Sequence, residues 1–138
     1  MARSSAAGED LGKLLLRLVL GVLILLHGIA KLISGPAFVV GLVTKMGLPQ
    51  PFAYLVYVGE VLAPILLILG VWTRPAGLVV VINMVVAIWL AHTADFFTLS
   101  QTGGWALELQ GMFLVTGLAI ALLGAGRYSI GGAGGRWN

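Results

Sequence analysis

Four apolar stretches, each near the roughly 20 residues that a helix needs to cross hydrocarbon, occupy most of this chain. Residues 75–94 carry no formal charge, and 104–124 carry only Glu108. Residues 52–72 carry Glu60 and Pro64, and 11–33 carry Lys13 and Arg17 at one end and His27 and Lys31 at the other. A fifth apolar segment, Pro36 to Met46, is too short to cross and reads as an interfacial or re-entrant helix. The expected fold is all-α: a left-handed bundle of four transmembrane helices, with the short helix between the first and second spans. Residues 1–10 and the glycine-rich 131–138 are expected as flexible tails around a membrane domain over 11–130.

Composition excludes the water-soluble alternative. Of 138 residues, 59% are hydrophobic and 9% charged, whereas soluble domains carry about 25% charged residues. The net charge of +3 does not mark a nucleic-acid binder, because the basic residues are scattered. No cysteine is present, so thiol–disulfide relays, iron–sulfur ligation and disulfides are excluded. His27, Lys31 and Pro36 interrupt the region where a small-x-small cleavage site would follow the first apolar run, so that run is expected to be retained.

Four crossings put both termini and the second-to-third loop on one side. That side holds Arg3, Lys13, Arg17, Arg74, Arg127 and Arg136, and the other holds Lys31 and Lys45. The bias predicts cytoplasmic termini in a bacterial inner membrane.

Ionisable residues inside hydrocarbon are costly and mark functional sites by default. At 1.5 Å per residue, Lys31 and His92 lie about 3–5 Å below the outer boundary, Glu108 about 6 Å, His27 about 9 Å and Glu60 about 12 Å. His27 and Lys31 are four residues apart and share a helix face. Glu60 precedes Pro64 by four positions, so its carbonyl loses the usual helix donor and a kink is expected there. Glu108 has Gly104 and Gly111 on its face and is placed to share a proton or cation with Glu60. Asn83 reads as a buried hydrogen-bonding residue. His92, nine positions on, is half a turn out of phase with it on an ideal helix. For each residue a structural role stands beside the functional one: snorkelling for Lys31, an ion pair with Lys31 for Glu60, a boundary carboxylate for Glu108. The Glu-x-x-His spacing of carboxylate-bridged metal centres is absent, so no metal is expected.

These residues lie within an ordered set of short motifs. The set comprises Leu15-Leu16-Arg17-Leu18, His27-Gly28-Ile29-Ala30-Lys31-Leu32, Gly47-Leu48-Pro49, Gly59-Glu60, Thr73-Arg74, Asn83 and Gly124-Ala125-Gly126-Arg127-Tyr128-Ser129. With this set the chain resembles the DoxX family of small four-helix membrane proteins, from about residue 12 to 130. One departure is that Gly103-Gly104-Trp105 is followed by Ala106, the acid coming only at Glu108. The family is similar to the membrane subunit of thiosulfate:quinone oxidoreductase, and members are linked to membrane oxidoreductase complexes and oxidative-stress defence. The resemblance implies a quinone-interacting or redox-associated subunit, with quinone as cofactor or ligand and a soluble or membrane oxidoreductase as partner. It leaves room for a homo-oligomer. Arg17, Glu60, His27 and Lys31 are expected to shape the polar end of an apolar pocket. The alternative is a non-catalytic assembly factor or small-solute carrier.

Overall fold

The computed structural model describes residues 2–138 and contains five helices: α1 (Ala2–Ser34), α2 (Ala37–Lys45), α3 (Gln50–Leu69), α4 (Thr73–Ala91) and α5 (Glu108–Leu123). Among the described residues there is no strand, only an isolated bridge between Leu99 and Trp105. Three segments, Ala6–Ser34, Gln50–Leu69 and Thr73–Ala91, are long and apolar enough to cross a membrane.

The last helix is shorter than expected. Its sixteen residues span about 24 Å, against a hydrocarbon core of about 30 Å. Residues 98–107 fold back instead of extending it, with Ser100 N–H donating to Gly104 O at 2.7 Å and Ala106 N–H to Thr98 O at 3.0 Å. Gly103, at φ +87°, makes the reversal that a residue with a side chain would resist. Both tails also depart from expectation. Helix α1 begins at Ala2, and Asp10 on its flank accepts from Arg127 N–H at 3.0 Å. The glycine-rich end returns to the start of α4, where Asn138 is buried and accepts from Thr73 Oγ1 at 2.9 Å.

Helix α3 is composite. A 3₁₀ turn over Gln50–Tyr54 leads through Leu55–Tyr57 into a π-helical turn at Val58–Leu62, then regular α-helix over Ala63–Leu69. The wide turn lies directly before Pro64, whose missing N–H and bulky ring disfavour regular geometry at Glu60. The helix ends at Gly70 (φ +70°) in a Schellman motif: Val71 N–H donates to Leu66 O at 3.1 Å and Gly70 N–H to Leu67 O at 3.2 Å.

Leu20, Ile24, Ala63, Leu67, Ala76, Val80, Met84, Phe113 and Ile120 form one core drawn from all four long helices. Without a hydrophobic drive between helices in lipid, close approach depends on small residues. Gly77 and Gly117 face each other across α4 and α5, and a Cβ on Gly77 would sit 2.7 Å from Gly117 O. On α1, Gly28 lies against the Glu60 carbonyl so closely that a Cβ there would overlap the carbonyl oxygen. Gly28→Ala is therefore expected to lower thermal stability in detergent by about 1–3 kcal/mol. Gly12→Ala on the same helix, with nothing within 4 Å of its Cβ position, should be neutral or slightly stabilising. Equal effects at the two sites would remove the close approach from the account.

Candidate functional site

The site grows from the π-helical turn. Glu60 points inward and is 6% exposed. Its Oε2 accepts from Lys31 Nζ on α1 as an ion pair, and its Oε1 from Asn83 Nδ2 on α4 at 3.4 Å. Three successive long helices thus meet at one carboxylate. Tyr57, one turn earlier on α3, donates to the Lys31 backbone carbonyl at 3.3 Å and ties the end of α1 to this turn. Gly59 completes the arrangement: its Cα lies against the Asn83 amide, and a Cβ would overlap that side chain. Tyr57, Gly28 and Gly59 were not legible as site residues, although both glycines adjoin or fall within the motifs that carry His27 and Glu60.

The cluster lines a cavity of about 460 Å³ between α2, α3 and α4. Lys31, Glu60, Asn83 and His92 line it, and the remaining walls are overwhelmingly aliphatic and aromatic, including Phe38, Val43, Val56, Val79 and Leu90. The segment Pro36 to Met46, expected to lie at the interface, supplies the wall through α2.

His92 lines the same cavity as Asn83, against the half-turn phase of an ideal helix. The reason is local: α4 ends at Ala91, and His92 adopts φ −133°, which breaks the helical phase. Its Nδ1 lies 3.4 Å from Asp95 Oδ2 and its Nε2 3.4 Å from Gln110 Nε2. The Gln110 Oε1 is buried without a partner.

The structure separates three other residues from the cluster. His27 is exposed and packs edge-on against Phe113 of α5, with ring centroids 6.1 Å apart. Glu108 is exposed at the first residue of α5 and lies over Gly104, so it shares neither proton nor cation with Glu60. Arg17, expected beside Glu60, sits at the other end of the bundle, fourteen positions or about 21 Å of helix before Lys31. There it is fully buried and donates through Nε to Ala125 O at 3.0 Å, through NH1 to Leu67 O at 2.8 Å, and through NH2 to Tyr128 O. All of these acceptors are backbone carbonyls. Arg17 therefore clamps the end of α3 and the segment after α5, and it does not face the cavity.

Among the described residues, no group of three or more His, Asp or Glu side chains converges as a metal ligand set. What the arrangement offers is an ion pair of no net charge with spare N–H donors in the wall of an apolar chamber. Such a site suits an uncharged ligand with a hydrogen-bonding edge.

Apolar helices of membrane length, with a polar cluster lining an otherwise apolar cavity, define a helical integral membrane protein. Residues 12–93, which contain Lys31, Glu60, Asn83 and His92, match the family model described as DoxX, and the chain belongs to that family. It is similar to an uncharacterized protein of Haemophilus influenzae, 33% identical over 103 residues, covering 72% of this chain and 75% of that one. It is also similar to a Bacillus subtilis protein named "Putative oxidoreductase CatD", 26% identical over 116 residues, covering 84% of this chain and 81% of that one. No solved structure matches the chain significantly.

Proposed function

We propose that this protein is a quinone-interacting, redox-associated subunit of a membrane oxidoreductase system, with the Lys31–Glu60–Asn83 cluster holding the quinone's polar edge. The observation that carries the reading is the presence of this cluster in the lining of an otherwise apolar cavity of about 460 Å³. Apolar walls suit a quinone ring, and the N–H donors of Lys31 and Asn83 suit its carbonyl oxygens. The printed name of the Bacillus subtilis relative points in the same direction. On this reading the chain carries no redox centre of its own, and a partner oxidoreductase supplies or accepts the electrons.

The test is extraction of the protein, purified in mild detergent, with organic solvent, followed by mass spectrometry for bound quinone. Wild type should carry it and Glu60→Gln should carry several-fold less. Absence from wild type, or equal loading of the two, defeats the reading.

The accompanying topology is four crossings of a bacterial inner membrane with both termini cytoplasmic. The six-to-two distribution of basic residues supports it, and the short α5 then crosses with local thinning of the bilayer. Reporter fusions after Arg74 and after Asn138 should register cytoplasm, and one after Lys45 periplasm. A periplasmic C-terminal reporter removes the fourth crossing.

A further inference from the structure

Lys31, Glu60, Asn83 and His92 form the polar lining of the cavity, and several of its apolar lining residues are exposed. Leu55 on α3 and Ile82 and Val86 on α4 line it and are also exposed, Ile82 at 62% and Leu55 at 58%. Residues that line a chamber and are themselves this exposed stand where the chamber opens to the exterior. Ile82 lies nine positions before the end of α4, about 13 Å of helix rise below that end. The opening therefore faces hydrocarbon rather than water. Phe38 of α2 and Trp89, both cavity-lining and exposed, rim it toward the outer face.

The polar lining restricts the head group. Lys31 and Glu60 neutralise each other, so an added anionic or cationic head would bring an unpaired charge into an apolar chamber, at high cost. Lys31 Nζ has three N–H groups and donates one to Glu60, which leaves donors for a ligand acceptor. Resting on the functional reading above, we infer that the ligand is a tailed amphiphile with an uncharged carbonyl-bearing head, entering sideways from the bilayer between α3 and α4 past Leu55, Ile82 and Val86. Its head lies at Lys31–Glu60–Asn83 and its tail remains in the opening.

The experiment compares decylubiquinone, tailless ubiquinone and oleate, each partitioning between nanodiscs of zwitterionic lipid with and without the protein. The proteins are wild type, Ile82→Trp, Val86→Trp and, as a control on an exposed residue outside the cavity, Met112→Trp. Ile82→Trp should weaken decylubiquinone binding roughly tenfold, the equivalent of about two buried methylenes. The tailless probe should change less than about twofold, and Met112→Trp should leave both unchanged. Should Ile82→Trp fail to fold, Val86→Trp carries the same expectation. Equal weakening of both quinones, or none of either, overturns the lateral opening while leaving quinone binding intact. Preferential binding of oleate over both quinones overturns the uncharged head. Binding of neither quinone to wild type defeats the functional reading itself and this inference with it.

Discussion

Replacing Lys31 with Met should destabilise the protein by roughly 3–5 kcal/mol, because it leaves the buried Glu60 carboxylate without its cation. Glu60→Gln should be milder, about 1–2 kcal/mol. The lysine side chain, 28% exposed, can swing its ammonium outward, and the glutamine still accepts from Asn83. The double change Lys31→Met with Glu60→Gln should be less costly than the sum of the two. A coupling of about 1–3 kcal/mol is expected for partners in direct contact. Thermal unfolding of the four proteins in one detergent measures it. Strictly additive losses would mean that the pair does not contribute to holding α1 on α3, and Glu60 would then be free for ligand chemistry alone.

Arg17→Met should cost as much at the opposite end, about 3–5 kcal/mol, for a different reason. No carboxylate loses its partner there. Instead the Ala125 and Tyr128 carbonyls lose the guanidinium as donor and the Leu67 carbonyl keeps only the Gly70 N–H, a buried carbonyl left unpaired costing about 1–3 kcal/mol. Arg17→Lys should fall between wild type and Met, since an ammonium cannot reach three divergent acceptors as a planar fork does. Limited proteolysis adds a local readout: the segment Gly124 to Ser129 should become cleavable in Arg17→Met and stay protected in wild type. Quinone loading of whatever remains folded should be unchanged, since Arg17 does not line the cavity. A variant as stable as wild type, or one that loses quinone before it loses structure, would contradict the clamp.

The tertiary arrangement explains why these two basic residues on one helix differ so much. Both are single positive charges on α1, and a reading by residue type groups them as one polar set. Fourteen positions of helix separate them. One meets a carboxylate across the bundle, and the other meets only the carbonyls at a helix end.

Much of the architecture was legible because it depends on local properties of the chain. A run of about 20 apolar residues with few charges dictates a buried helix whatever its neighbours are, since backbone groups in lipid must be satisfied internally. Helices α1, α3 and α4 follow from that rule, and Pro64 marked the distorted turn at Glu60 through the chemistry of its own ring. Glu60 and Lys31 stood out for the cost of burying charge, and they meet. What the tertiary structure alone decided is which side chains converge. His27 and Lys31 share a helix face by spacing, yet one packs on Phe113 of α5 and the other pairs with α3, because neighbouring helices divide that face between them. His92 joins Asn83 only because α4 stops at Ala91, and Glu108 stands apart only because the chain before it folds back through Gly103. Span length is a sum over neighbouring residues and can be read along the chain. Convergence depends on helix rotation, helix ends and contacts between residues such as Gly28 and Glu60, 32 positions apart, and only packing determines those.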